Sequence, residues 1–206
     1  LLTNPFGSPI FLDSITFIFF GQEIWLFSLI FIVVWLVLTM NVMNWLDGLQ
    51  GLSSGVGAIA AFIIFLLSVQ GFHTIDQSVI ASLSLSLFFS LLAFWIFEFP
   101  PAKILMGDSG SMLIGFLLGV FAIFSGGKVA TLLLILGFPV LDAVWVILRR
   151  ILTGASPLKG DLKHFHHRLL RAGLSEKAAL LLNYALCFVF GGIALFLDNT
   201  KEKFIA

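Results

Sequence analysis

The 206-residue chain carries 11 acidic and 11 basic residues, no formal net charge, 60% AVILMFWYC and a mean hydropathy of +1.12. Soluble domains sit nearer half apolar and a quarter charged, so a soluble fold is excluded: too few charged side chains exist to cover its surface. Disordered and disulfide-rich classes go with it, since the single Cys187 has no internal partner and lies in an apolar run.

The opening stretch LLTNPFGSPIFLDSITF lacks the basic start and the small-residue cleavage site of a signal peptide, which suggests an internal start and the C-terminal portion of a longer integral-membrane protein, with 1–206 forming part of one domain. Crossing the hydrocarbon as a helix takes about 20 uncharged residues. Residues 24–46, 77–97 and 178–197 meet that requirement cleanly. Residues 55–72, 111–125 and 129–148 meet it less well, the second being short and the third carrying Pro139 and Asp142. The expectation is an all-α fold, a polytopic transmembrane helical bundle with about six spans. Aliphatic runs of this length do not show the alternation over about ten residues that marks barrel strands. Repeated glycine in GFLLGVFAIFSGG and repeated serine in SLSLSLFFS suit close helix contacts.

Six spans put the linkers 41–54, 98–110 and 149–177 on one side. The last holds Arg149, Arg150, Lys159, Lys163, Arg168, Arg171 and Lys177, seven of the 11 basic residues, against Asp161 and Glu176. The positive-inside rule makes that face cytoplasmic, with Lys201 and Lys203 a weak opposing signal. Asp13, Glu23, His73 and Asp76 fall on the other face and receive no role. Unusual polar chemistry thus collects on the cytoplasmic side, as expected of a membrane enzyme with a cytosolic substrate.

Within the first linker, NVMNWLDGLQGLSSG spans 41–55. Asn41, Asn44 and Asp47 recur every three residues, which on a helix places them within an arc of about 120°. Gly48 and Gly51 permit tight backbone and close approach of a ligand, and Ser53 and Ser54 can cap the next helix. The bland account is a helix end leaving the membrane; the functional one is a carboxylate and two amides beside glycines, able to orient a phosphate-bound metal or a nucleotide.

The second linker ends in AKILMGDSGSMLIGF, 102–116, with Asp108 between Gly107 and Ser109 just before a helix whose N-terminal amides favour anions. Asp108 reads either as an N-cap or as a ligand of Mg²⁺ that in turn holds a diphosphate, with Ser109 and Ser111 as donors. GDSG is also the pattern of a serine-hydrolase elbow, but the strand and histidine partner are missing. Lys103 is either a snorkelling lysine or a phosphate contact. In the third linker, HFHHR puts His164, His166, His167 and Arg168 within five residues. Zinc binding lacks a nearby cysteine or a well-spaced helical pair. A basic segment on anionic lipid would not need histidine, and the cluster looks more like a clamp for phosphate oxygens. Asp142, inside the 129–148 span, is expected to face a cavity or a partner such as Arg149 or Arg150.

At these residues the chain resembles the polyprenyl-phosphate N-acetylhexosamine-1-phosphate transferases (glycosyltransferase family 4), which initiate bacterial cell-envelope glycans. NVMNWLDGLQGL is similar to the family's Asn-x-x-Asn-x-x-Asp-Gly motif, ILMGDSGSMLIG to its Gly-Asp-x-Gly-Ser motif, and HFHHR to its His-x-His-His-Arg loop. The likeness runs from about residue 4 to about 181 and is nearest to the branch that uses UDP-GlcNAc and undecaprenyl phosphate. The sister branch that uses UDP-MurNAc-pentapeptide has three histidines followed by glutamate, where this chain has Arg168 and Leu169.

The resemblance implies transfer of a sugar-1-phosphate, here GlcNAc-1-phosphate, from a UDP-N-acetylhexosamine to undecaprenyl phosphate. UMP is released, and the reaction requires Mg²⁺, with Mn²⁺ as the alternative ion. It implies a multi-pass protein of the bacterial inner membrane with its active site on the cytoplasmic face. Asp108 resembles the metal-ligating aspartate, with Asp47 as a second metal candidate. Asp47, Asp108, His164, His166 and His167 are the implied catalytic set, and Asn41, Asn44, Gln50, Lys103, Ser109 and Arg168 the implied substrate contacts. The implied partners are the two substrates and membrane lipids, with a homodimer as candidate assembly and no nucleic acid. Two departures stand out. Gln50 occupies the place of a common second aspartate, and the family's paired aspartates, associated with the lipid-phosphate acceptor, belong to an earlier loop absent from these residues. The 206 residues alone are therefore expected to be catalytically incomplete. A transporter would spread polar groups along a midplane path, and a scaffold gives no reason for GDSGS or NVMNWLDG.

Overall fold

A computed structural model describes residues 18–19, 22–23, 25–70, 77–125, 129–152 and 165–205. Two short strands, β1 (Ile18–Phe19) and β2 (Gln22–Glu23), pair antiparallel, and the regular elements described after them are all helices: α1 (Trp25–Leu46), α2 (Leu52–Gln70), α3 (Ser78–Glu98), α4 (Gly107–Phe124), α5 (Val129–Ile135), α6 (Gly137–Leu152), α7 (Phe165–Arg171) and α8 (Glu176–Ile205). The long helices follow from uninterrupted apolar runs, because in hydrocarbon a backbone must satisfy its own hydrogen bonds. At 22 residues, α1 rises about 33 Å, enough for a hydrocarbon layer of about 30 Å.

Five helices among the described residues are long and apolar enough to cross a membrane: α1, α2, α3, α4 and α8. The expected count of six is not reproduced. The run 129–148 is broken at Leu136 into pieces of 7 and 16 residues, neither long enough alone. Pro139 is the reason: its ring crowds the carbonyl four residues back, that of Ile135, where α5 ends. The 111–125 span, in contrast, is longer than read from sequence. Gly107, at φ +72°, lets the chain enter the helix four residues earlier, giving α4 18 residues. Asp108 therefore lies in the first turn, and the N-cap position falls to Met106, which makes no side-chain cap.

α1 and α4 run antiparallel at close range. Trp35 Nε1 donates to Gly119 O at 3.0 Å. A methyl on Gly115 would sit 2.6 Å from Met40 Cα, and one on Gly119 2.6 Å from Thr39 Oγ1. Ser111, Gly115 and Gly119 thus form a small-residue row that admits the α1 backbone. Because the clash at Gly115 is with main chain, Gly115→Val is expected to lower stability by about 3 kcal/mol, read as a drop in Tm of the detergent-solubilised protein, whereas Gly192→Ala, with open space around the added methyl, should leave Tm nearly unchanged.

α2 is the enclosed helix, with Leu52, Val56, Ala60, Ala61 and Ile64 fully buried, as its apolar circumference requires. It is antiparallel to α3, which returns from the far end to bring Glu98 beside Ser54. It is parallel to α8, whose Tyr184 lies against Gly55 and whose Gly191 lies against Ile63. One end of the bundle therefore gathers the C-termini of α1 and α3 and the N-termini of α2, α4 and α8. Along the sides, Val33 and Val37 of α1 and Val79, Phe89 and Ile96 of α3 stay exposed, as suits a surface solvated by lipid.

Candidate functional site

The site is the gathered end. Asn44, in the last turn of α1, donates from Nδ2 to Asp108 Oδ1 at 3.0 Å and to Ser111 Oγ at 3.3 Å. The α1–α4 packing makes this reach possible, since Asn44 lies one turn beyond Met40 and Ser111 one turn before Gly115. Asp47, in the turn after α1, accepts from Ser53 Oγ at 2.7 Å and from the Gly107 N–H. Burial pushes its carboxyl above the usual range against the pull of those two hydrogen bonds, and the nearby Asp108 charge adds to the rise. Two carboxylates, one in the turn after α1 and one in the first turn of α4, thus sense one another across a small polar end face.

The turn that carries Asp47 is tied down from several sides. Gly51 adopts φ +81°, a region open to glycine at little cost. Its carbonyl accepts the Tyr184 hydroxyl of α8, which in turn accepts from Trp95 Nε1 at 2.9 Å. Gln50 Oε1 accepts the Ala102 N–H at 3.1 Å, linking the turn to the 99–106 loop. Lys177 Nζ lies 5.6 Å from the centroid of the Phe99 ring, bringing the start of α8 to the same end.

Asp47 and Asp108 are hard oxygen donors, and among the described residues no group of three or more His, Cys, Asp or Glu forms a closed metal cluster. That donor set fits Mg²⁺, which binds through one or two carboxylates, keeps several waters and is completed by substrate phosphates. It does not fit structural zinc, which needs four protein ligands.

The family model for glycosyl transferase family 4 matches residues 4–126, a stretch that contains Asn44, Asp47 and Asp108. The chain belongs to glycosyl transferase family 4. Among family relatives, it is 35% identical over 173 residues to the probable undecaprenyl-phosphate N-acetylglucosaminyl 1-phosphate transferase of Bacillus subtilis, covering 81% of this chain and 47% of the relative. It is 37% identical over 166 residues to the decaprenyl-phosphate N-acetylglucosaminephosphotransferase of Mycolicibacterium smegmatis, covering 70% and 41%. To the undecaprenyl-phosphate alpha-N-acetylglucosaminyl 1-phosphate transferase of Thermotoga maritima it is 30% identical over 167 residues, covering 80% and 51%. The chain spans about half the length of the curated relatives it matches.

In this family member the residues singled out from sequence divide clearly. Asn44, Asp47 and Asp108 come together. Gln50 is spent on the 99–106 backbone, and Asn41 turns back on its own helix, donating to Val37 O at 2.6 Å. Lys103 and Ser109 are exposed at the site end, and the Lys103 N–H donates to Phe97 O at 2.8 Å. His166, His167 and Arg168 belong to α7, with the Arg168 side chain exposed; His164 lies outside the described residues. Asp142 is half-buried on α6. Sequence reasoning gave Ser53 only a capping role, where its hydroxyl donates to Asp47, and passed over Glu98 and Tyr184. Glu98 had a visible signal: a lone carboxylate closing an apolar run, ten residues before Asp108.

Proposed function

We propose that the protein transfers an N-acetylhexosamine-1-phosphate, GlcNAc-1-phosphate in the first instance, from a UDP-sugar to a polyprenyl phosphate of the undecaprenyl type, at the cytoplasmic face of a bacterial membrane. The observation that carries the reading is the meeting of Asp47 and Asp108 at one end of a membrane helix bundle, Asp108 held by Asn44 and Asp47 by Ser53. Family membership and the activities of the relatives support it.

In the proposed reaction an oxygen of the acceptor phosphate attacks the β-phosphorus of the UDP-sugar. The bond from that phosphorus to the bridging oxygen breaks, and UMP leaves with the electron pair. Attacking and leaving groups are both anionic, so fixed positive charge is needed. A bound Mg²⁺, held by Asp108 and Asp47, would supply charge neutralisation on the diphosphate. Burial opposes ionisation of Asp47, and a cation beside it relieves that opposition. Asn44 holds the Asp108 carboxylate in place, Ser53 and the Gly107 N–H hold that of Asp47, and Ser109 is open to a phosphate oxygen. Arg168, exposed on the helix before α8, is suited to donor phosphates arriving from water, while the lipid arrives from the side of the bundle.

The direct test uses the full-length protein in detergent with Mg²⁺, UDP-GlcNAc and undecaprenyl phosphate. Equimolar UMP and lipid-linked diphosphosugar support the reading; release of UDP in place of UMP contradicts it. A second measurement concerns Arg168. Losing a charged hydrogen bond to phosphate in the transition state costs about 2 kcal/mol, equivalent to roughly 30-fold in rate. Arg168→Ala is expected to lower kcat/KM for UDP-GlcNAc by about that factor, and Arg168→Lys to recover only part because the planar fork is lost. A loss confined to undecaprenyl-phosphate use would move Arg168 to the acceptor side.

A further inference from the structure

Glu98, the last residue of α3, is 1% exposed. Removing a carboxylate from water this completely is costly unless its oxygens are filled, and here both are used. Ser54 Oγ donates to Oε2, and the Met106 N–H donates to Oε1 at 3.1 Å.

The two donors flank the two halves of the site. Ser54 follows Ser53, whose hydroxyl holds Asp47, and Met106 precedes Gly107 and Asp108, with the Gly107 N–H itself reaching Asp47. Ser53 Oγ also lies 3.5 Å from Met106 Sδ, so the two backbone segments meet over the Glu98 carboxyl. One buried side chain thereby bridges the start of α2 to the entry of α4, while being too enclosed to touch a substrate.

We propose that Glu98 is a positioning residue that sets the separation of the Asp47 and Asp108 carboxylates, and through it the affinity of the site for a divalent cation. The inference rests on the reading of that pair as a cation site. The chemistry of the bridge makes a definite ordering of variants. Glutamine has one acceptor oxygen and one amide. Its oxygen can keep the Met106 N–H, and its amide can donate to Ser54 Oγ if that hydroxyl turns to Gly51 O, already within 3.3 Å. Aspartate retains the charge but is one methylene short, so it cannot reach both donors. Alanine leaves both donors buried and unpaired.

The test uses the full-length protein in detergent, Mn²⁺ binding followed by electron paramagnetic resonance, and hydrogen exchange of the peptide covering 99–107. Partners that orient a metal ligand typically change affinity by 10- to 100-fold when removed. Glu98→Asp and Glu98→Ala should each weaken Mn²⁺ binding by about 10-fold or more and speed exchange at Met106 and Gly107, with Glu98→Gln within about threefold of the parent. In transfer assays the half-saturating Mg²⁺ concentration should rise in the same order, while KM for the donor at saturating Mg²⁺ stays level. Should Glu98→Asp loosen the 99–107 peptide yet bind Mn²⁺ as tightly as the parent per folded molecule, Glu98 is a packing residue only and the proposal is overturned. If the parent protein binds no Mn²⁺ that Asp108→Asn abolishes, the cation-site reading fails as well, which is a different result from the first.

Discussion

Asp108→Asn in the full-length protein is expected to reduce sugar-phosphate transfer by about 10³-fold or more, the equivalent of about 4 kcal/mol of lost charge stabilisation. The amount of folded protein in the membrane should stay near that of the parent. The expectation separates charge from shape. Asn44 donates its amide to Asp108 Oδ1, and an asparagine keeps an oxygen to receive it. Asp108 is exposed on the first turn of α4, so the new amide nitrogen faces water and is not buried without a partner. Only the negative charge disappears. Steady-state UMP release, with the Mg²⁺ dependence measured alongside protein recovered in membranes, checks the result. Near-parental activity with the same Mg²⁺ dependence would remove Asp108 from the chemistry and leave it a partner of Asn44 alone.

Asp47→Asn is expected to lower transfer by about 100-fold and, unlike the change at Asp108, to cost about 1 kcal/mol of stability. Asp47 is half-buried and accepts from two donors, Ser53 Oγ and the Gly107 N–H. An amide can satisfy the Gly107 N–H with its oxygen and turn its nitrogen to Ser53, whose hydroxyl can reverse, but the charge-assisted strength of both bonds is lost. A thermal melt and a Mg²⁺ titration of the variant, run beside Asp108→Asn, distinguish the pair. Retention of more than about a third of the activity would assign the metal to Asp108 alone.

Much of this arrangement was legible in the chain. Runs such as 24–46 and 77–97 are long, apolar and free of proline, so the helices they form differ from expectation by a residue or so at each end. The three-residue spacing of Asn41, Asn44 and Asp47 suggested one polar edge at the end of α1, and Asn44 and Asp47 both lie at the end of the bundle that holds Asp108. What the spacing could not show is how each member uses its donors: Asn41 lies on the same arc, but its amide is taken by Val37 O. The start of α4 was misread because glycine and serine beside Asp108 suggest a loop, while Gly107 in fact uses its positive φ to begin the helix early. The break at Leu136 had a sign in Pro139 that total hydropathy outweighed. Glu98 and Tyr184 act through pairings across 44 and 133 residues of sequence, and nothing in local periodicity encodes such partners.

The pairing of α1 with α4 also governs when the protein can first work. Asn44 and Asp108 are 64 residues apart, and the α2–α3 hairpin lies between them. At synthesis rates of about 5–20 residues per second, that separation delays their meeting by roughly 3 to 13 s. During the delay Asp47 waits at the water boundary, and the Trp35 indole N–H has no Gly119 carbonyl to meet in the bilayer. A nascent chain stalled before residue 107 would hold the first carboxylate without the second, so the two can share one end face only after α4 has entered the membrane beside α1.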